Sequence, residues 1–428
     1  MPPSLREWLP ADELAWCVLD AVAELDLSAM YGDYRADGHG RAAFDPGMMV
    51  ALLLYAYAVG ERSSRGIERR CRVDVAFRVI AANQQPDHAT IARFRVRHEE
   101  ALGGLFPQVL RLCARAGLVS LGVIALDSTQ VAASAAGHAN LTYEQIAAEI
   151  LAEAGAVDAA EDELYGEARG DELPPELVDP VSRRARLREA KRQLESEHEA
   201  AQLAYLEKLK ARAERETETG RKVAGRKPQP PPERIPPDRR VNITDRDSRP
   251  VRTKNGFLQG YGVQAVATRE QIIIAAEVQI GATDQGLLEP MIRAAAGELD
   301  AAGIEEPIGA VVADAGYWKL DQIQKLQHDG IRVLVPPDGQ TDGKRGDSRR
   351  RGGVYEDMRE KLNTEPGAGL YRQRMCTIEP IFGHTKHNRR ADRFQRRGRA
   401  ACRSEWRLIT ATHNLFKLWR ARTLAMAA

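Results

Sequence analysis

Val123-Ile124-Ala125-Leu126-Asp127-Ser128-Thr129 is a short apolar run that ends in an acid. Such a run predicts a buried strand that delivers a carboxylate at its end. The same pattern returns at Ile308-Gly309-Ala310-Val311-Val312-Ala313-Asp314. Because functional groups gather at the strand ends of open α/β sheets, Asp127 and Asp314 are candidates for one site.

The segments around these two strands indicate a mixed α/β fold. Alternating and apolar residues between 260 and 280 predict a β-hairpin. Helical spacing follows over 287–295, with Asp284 as the expected N-cap, and a second helix near 320–326 precedes a strand over 331–335. A hairpin followed by alternating helices and strands gives a mixed sheet with helices on its faces.

The length of 428 residues allows two or three domains. Residues 1–120 are predicted to be a helical N-terminal domain, in which Pro46 begins an apolar helix and Asp87 caps a helix with interleaved arginines. An arginine-rich face suits DNA contact, although the solvated face of a purely structural domain has the same composition. Residues 121–140 and 241–428 carry the predicted sheet.

Residues 141–240 are predicted to be an insertion into the sheet domain. They are charged and poor in large apolar residues, and they end in a proline-rich stretch over 228–237. We therefore expect an exposed helical arm with a stiff exit. Residues 338–353 are rich in Gly, Asp and Arg and are expected to form a mobile loop.

The net charge is only +1, but the charges are segregated along the chain. Residues 152–178 are acidic, whereas residues 386–407 are strongly basic. Phosphate binding responds to local potential, so the basic block suggests a nucleic-acid partner, although a solvated helix face is the alternative. The basic residues are Lys386, Arg389, Arg390, Arg393, Arg396, Arg397, Arg399, Arg403 and Arg407.

Other classes of protein are disfavoured by what the chain lacks. No run approaches the ~18 apolar residues that a membrane span requires. The first residues show no signal-peptide pattern. The five cysteines are far apart without a C-x-x-C pair, which argues against a zinc module or disulfide framework and fits a reducing cytoplasm.

The candidate acids suggest a metal-dependent reaction. Clustered carboxylates repel one another unless a positive charge lies between them. Oxygen ligands without His or Cys favour Mg²⁺ or Mn²⁺, and two such ions about 4 Å apart can drive an in-line displacement at phosphorus. For any single acid at a strand end, a cap or turn role is the alternative.

The motifs resemble, in the same order, those of bacterial insertion-sequence DDE transposases with an RNase H-like core. Residues 124–129 resemble the first-aspartate strand of that family, and residues 311–317 resemble the second, with its small-Gly-Tyr turn. Residues 371–386 are similar to the Tyr–Arg–Glu–Lys signature. The common form places three residues between Arg and Glu, whereas four separate Arg374 from Glu379 here.

Further segments extend the likeness to most of the chain outside the arm at 141–240. Residues 242–248 and Gly260-Tyr261 are similar to the segment before the second strand, and residues 87–97 to the helical N-terminal domain of the family. The resemblance implies an enzyme that cleaves insertion-sequence ends and transfers them into target double-stranded DNA, as a homodimer on DNA in the bacterial nucleoid. The alternatives are a DNA-binding protein derived from a transposase and an RNase H-like nuclease without strand transfer.

The resemblance and the basic block also assign roles to individual residues. The acids would ligate two Mg²⁺ or Mn²⁺ ions, Lys386 would hold a phosphate or the transposon end, and the arginines would lie along the DNA. The implied metal ligands are Asp127, Asp314 and Glu379, and the implied DNA contacts are Tyr371, Arg374, Lys386, Arg389, Arg390 and Arg393.

Overall fold

A computed structural model describes residues 4–34, 43–152, 183–223, 227–253, 256–281, 283–337, 340–341, 344–345 and 352–427. The chain divides into two compact units: unit 1 comprises Met1–Ser134 and Val251–Ala428, and unit 2 is Ala135–Pro250. The acidic stretch over 152–178, apart from Ala152, and most of the expected loop over 338–353 lie outside the described residues.

The strands of unit 1 form a mixed six-stranded sheet in the order β4-β5-β1-β7-β8, and β6 also pairs with β5. The pairs β1–β5 and β5–β6 are antiparallel, whereas β1–β7 and β7–β8 are parallel. This arrangement confirms the predicted hairpin and mixed sheet. The strands are β1 (Val123–Ala132), β2 (Asn140–Thr142), β3 (Arg240–Asn242), β4 (Arg249–Thr253), β5 (Gly256–Thr268), β6 (Ile273–Gln279), β7 (Ala310–Ala313), β8 (Arg332–Leu334), β9 (Gln340–Thr341) and β10 (Lys344–Arg345).

Helices occupy most of the remaining chain, and their starts follow from local sequence. The Asp87 carboxylate accepts a hydrogen bond from Thr90 N at 2.6 Å, which confirms the predicted N-cap. The helices are α1 (Leu14–Ala23), α2 (Ser28–Tyr31), α3 (Pro46–Ala58), α4 (Ser64–Val73), α5 (Val75–Ile80), α6 (His88–Arg97), α7 (Glu99–Gly103), α8 (Leu105–Arg115), α9 (Arg183–Thr219), α10 (Leu288–Ala301), α11 (Leu320–His328), α12 (Val354–Asn363), α13 (Gly367–Gly383) and α14 (Arg399–Ala427).

The N-terminal helices share unit 1 with the sheet, whereas we expected residues 1–120 to be a domain of their own. Helix α3 is the physical reason: eleven of its thirteen residues are buried, so it must be enclosed on all sides. Helix α14 provides part of that enclosure, because it packs against α3, α7 and α8 as well as against β6. A buried ion pair, Arg62 Nη1 to Glu405 Oε1 at 3.0 Å, lies in the same region.

Unit 2 has a small apolar core at the base of the predicted arm. Strands β2 and β3 pair antiparallel, and α9 runs for 37 residues. Further along α9, Leu203 and Leu206 are 63% and 58% exposed. The buried core residues are Ile146, Leu187, Ala190, Leu194, Val241 and Ile243.

The helices and the cysteines bear on two expectations from composition, the missing membrane span and the missing disulfide framework. None of the helices within the described ranges combines the length and apolar character that a membrane crossing requires. All five cysteines are free thiols, and only Cys376 is exposed.

Candidate active site

The first two predicted acids lie side by side because their strands are parallel neighbours. The register pairs Leu126 of β1 with Ala313 of β7, so Asp127 and Asp314 are the next residues along the chain. Asp314 directly follows β7, but the predicted strand end at Asp127 was wrong, because pairing with β5 continues β1 to Ala132. Neighbouring strands lie about 4.8 Å apart. Backbone amides orient both carboxylates: Ser128 N donates to Asp127 Oδ1 at 2.8 Å, and Gly316 N donates to Asp314 Oδ1 at 2.9 Å.

The third predicted acid approaches from α13, which packs across β1, β5 and β7. Arg374 Nη1 donates to Asp127 Oδ2 at 2.9 Å, and both side chains are only 15% exposed. Arg374 Nη2 lies 3.7 Å from Glu379 Oε1, whose side chain is 48% exposed. Arg374 therefore contacts both Asp127 and Glu379, one through each terminal nitrogen of its guanidinium group.

A fourth acid, Asp284, lies beside Asp314, and the sequence did not reveal it. We expected Asp284 to cap α10, but that helix begins at Leu288 with no side-chain cap, so the N-cap prediction was wrong. Asp284 Oδ1 instead accepts a hydrogen bond from Gln264 Nε2 at 2.8 Å. An Asp shortly before a helical pattern is the ordinary signature of an N-cap. The sequence therefore indicated a cap at Asp284 and not a place beside Asp314.

Burial and crowding of like charge shape the electrostatics of these acids. Burial raises the pKa of Asp127 to about 6, against the lowering effects of the Ser128 amide and Arg374, and Asp314 and Asp284 raise it further. Burial also raises the pKa of Asp284, with Asp314 acting in the same direction. Within the described ranges neither Asp284 nor Asp314 forms an ion pair with a basic side chain. The site therefore carries excess negative charge.

An oxygen-only donor set with excess negative charge fits Mg²⁺ or Mn²⁺. As the side chains stand, however, no three His, Cys, Asp or Glu residues in the described part of the chain are grouped closely enough to hold a metal ion. Arg374 bridges Asp127 and Glu379 and compensates part of their charge. For both of these acids to ligate a metal, Arg374 would have to release them.

The other residues of the predicted signature lie near Asp127. Lys386 Nζ donates to Thr129 Oγ1 at 2.7 Å. Thr129 is two residues beyond Asp127 and thus on the same face of β1. Burial lowers the pKa of Lys386 and raises that of Tyr371, which lies one turn before Arg374 on α13.

Arg389, which we expected to contact DNA, is instead inside the protein. Its side chain donates to Tyr57 O at 2.9 Å, to Ile409 O at 3.0 Å and to Thr412, and the residue is 3% exposed. It therefore connects α3 to α14. The predicted DNA contact at Arg389 was wrong because the chain leaves helical geometry after the π-helical turn His384–Asn388. Beyond that turn, helical spacing in the sequence does not show which arginines face outward.

Arg390 and Arg393 are exposed, as expected of DNA contacts. Arg393 Nη1 donates to Ala133 O at 2.7 Å, and its backbone lies beside Ala132 at the end of β1. Several arginines further along bind acids of unit 1, so the basic block is less available than its composition indicates. These ion pairs are Arg396–Glu99, Arg403–Glu277 and Arg407–Glu298.

Two family models match the chain, one near each end. A transposase domain (DUF772) matches residues 3–97, and a transposase DDE domain matches residues 344–419, which include Glu379 and Lys386. Neither match covers Asp127 or Asp314. No curated protein and no solved structure matches the chain. The mixed sheet with flanking helices agrees with the RNase H-like core that a DDE domain implies. The transposase domains matched near both ends, with the neighbouring acids Asp127 and Asp314 between them, support an insertion-sequence DDE transposase.

Proposed function

We propose that this transposase cleaves insertion-sequence ends and joins them to target DNA at a site formed by Asp127, Asp314 and Glu379. The observation that carries the proposal is the parallel register of β1 and β7, which sets the two aspartates side by side. Helix α13 supports the third assignment, because it holds Glu379 within reach of the same arginine as Asp127.

The three acids would hold two Mg²⁺ or Mn²⁺ ions, the number that an in-line displacement at phosphorus favours. Such ions activate the attacking hydroxyl group and stabilise the leaving oxygen of an in-line displacement. The protein's own contribution is to hold ionised carboxylates in a partly buried cleft. Arg374 lowers the pKa of Asp127 against the larger effect of burial, and its planar guanidinium suits a DNA phosphate once it is released.

A half-buried lysine and an exposed arginine suggest a DNA path along β1. Lys386 binds Thr129 on the Asp127 face, and Arg393 stands beside Ala132, five residues beyond Asp127. Five residues of strand span about 17 Å, which corresponds to about five base pairs of B-DNA. Contacts of this kind bind phosphates and position the duplex without reading its sequence. Arg389 is left out of this path because it is buried.

A nicking assay on a labelled transposon end tests the assignment of the acids. Asp127→Asn, Asp314→Asn and Glu379→Gln should each abolish Mg²⁺-dependent nicking and leave DNA binding largely intact. Asp329→Asn is the matched control, since Asp329 is exposed at the end of α11. Full activity in any one of the three variants removes that residue from the site.

A second assay separates transposition from the two alternatives. Pre-cut ends with a free 3′ hydroxyl should be joined to target DNA by the unaltered protein. Nicking without joining would indicate a nuclease, and binding without nicking would indicate a DNA-binding derivative. We also propose a homodimer on DNA, because transposition must pair two ends, and mass measurement of the complex with such ends tests this.

A further inference from the structure

We propose that Asp284 is a fourth acid of the metal site and strengthens the binding of a divalent cation beside Asp314. This inference rests on the proposed function of Asp127 and Asp314. It concerns a residue outside the transposase signatures, on the loop between β6 and α10.

Gly316 shows how close the two carboxylates are. A Cβ atom built on Gly316 would stand 3.0 Å from Asp314 Oδ1 and 3.6 Å from Asp284 Oδ2. Both oxygens therefore border the same small space, which the absence of a side chain at residue 316 leaves open. The backbone N–H of Gly316 already donates to Asp314.

The Asp284 carboxylate is held by the sheet and not by its own turn. Gln264, whose amide donates to Asp284, is 1% exposed in the middle of β5. Its other amide atom accepts a hydrogen bond from the Tyr317 hydroxyl, and its backbone oxygen accepts one from Trp406 Nε1 at 3.1 Å. The hydrogen bonds from Tyr317 and Trp406 hold Gln264 in place, and Gln264 in turn fixes the orientation of the Asp284 carboxylate.

A purely local role for Asp284 does not account for this arrangement. An aspartate that makes a turn accepts hydrogen bonds from the N–H groups of that turn. The contribution of Asp284 to its own turn is its backbone oxygen, which accepts from Leu287 N at 3.0 Å. Its carboxylate partners, Gln264 and Ser128, lie opposite each other on β5 and β1.

The charge of Asp284 has no basic partner among the described residues, although Asp314 lies next to it. A partly buried carboxylate without a counterion is costly, and a second carboxylate nearby raises that cost. A divalent cation would offset both. A negative charge within about 6 Å of such a cation changes its affinity about tenfold even at the dielectric constant of water.

The test measures Mn²⁺ binding to the full-length protein without DNA, by titration calorimetry or by the electron-spin resonance signal of free Mn²⁺. Asp284→Asn retains an oxygen that can accept from Gln264 but removes the charge, and it should weaken Mn²⁺ binding about tenfold. Asp284→Glu retains the charge and should bind within about threefold of the unaltered protein. Asp329→Asn should bind Mn²⁺ unchanged.

The same titration on Asp127→Asn and Asp314→Asn separates the inference from the proposed function. If these variants lose Mn²⁺ binding while Asp284→Asn binds normally, Asp284 is not part of the site and the proposed function stands. If both bind Mn²⁺ normally, the proposed metal site itself is wrong. If Asp284→Asn melts at a lower temperature, its weaker Mn²⁺ binding could come from lost stability, and Asp284→Glu then decides. Mn²⁺ binding by Asp284→Glu as weak as that by Asp284→Asn overturns the inference.

Discussion

Replacing Asp127 with Asn should stabilise the metal-free protein at neutral pH while it abolishes cleavage. The Asp127 side chain is 15% exposed, and burial raises its pKa from 3.8 to about 6. A difference of roughly two pKa units corresponds to roughly 3 kcal/mol of folding free energy. The effect of Arg374 is already contained in that pKa, so losing the ion pair adds no separate cost.

The stability difference between Asp127→Asn and the unaltered protein should depend on pH. Below about pH 4 Asp127 is protonated in both the folded and the unfolded chain, and it does not destabilise the fold. As the pH rises from about 4 to about 6, the unfolded chain loses this proton more readily, so the folded state loses stability. An Asn does not titrate. The stability gained by Asp127→Asn should therefore grow from near zero at pH 4 to a plateau above pH 6.

Denaturant unfolding in EDTA, between pH 4 and pH 8, measures this difference. Asp329→Asn is the control, because a substitution at an exposed position should change stability by less than about 0.5 kcal/mol. Adding Mn²⁺ should stabilise the unaltered protein and narrow its gap to the Asp127 variant. An Asp127→Asn protein that is less stable than the unaltered one at pH 7.5, or a gap that does not change with pH, would refute the reasoning.

Three further predictions test the packing and the DNA path. Glu405→Gln leaves a buried guanidinium without its counterion and should cost about 3 kcal/mol in denaturant unfolding, whereas Glu24→Gln, in an exposed pair, should cost under about 1 kcal/mol. Arg393→Ala should flatten the salt dependence of DNA affinity by about one unit of slope, and an unchanged slope, equal to that of Arg115→Ala, would contradict the path. Lys386→Met should weaken DNA binding and slow nicking but leave Mn²⁺ affinity in DNA-free protein unchanged, so a loss of Mn²⁺ binding would assign this lysine to the acids instead.

The strands and the first pair of acids could be predicted from the sequence because the signals are local. An apolar run that ends in Asp predicts a buried strand, and this holds for both β1 and β7; the predicted strand end holds only for β7, since β1 continues past Asp127 to Ala132. The N-cap at Asp87 was predictable for the same reason, since a cap and its helix are adjacent in the chain. The resemblance added Glu379, which no local pattern identifies as a partner of Asp127.

Only the tertiary structure decided which distant side chains meet. Asp284 had the local signature of a helix cap, yet its carboxylate binds Gln264 and lies beside Asp314. Arg389 lay in a block that suggested DNA, yet its donors are all directed to oxygens of α3 and α14. The periodicity of a sequence records which residues are buried and where an element begins or ends. It does not record the partners of a buried polar group, because those partners come from segments that only the packing of helices on the sheet brings together.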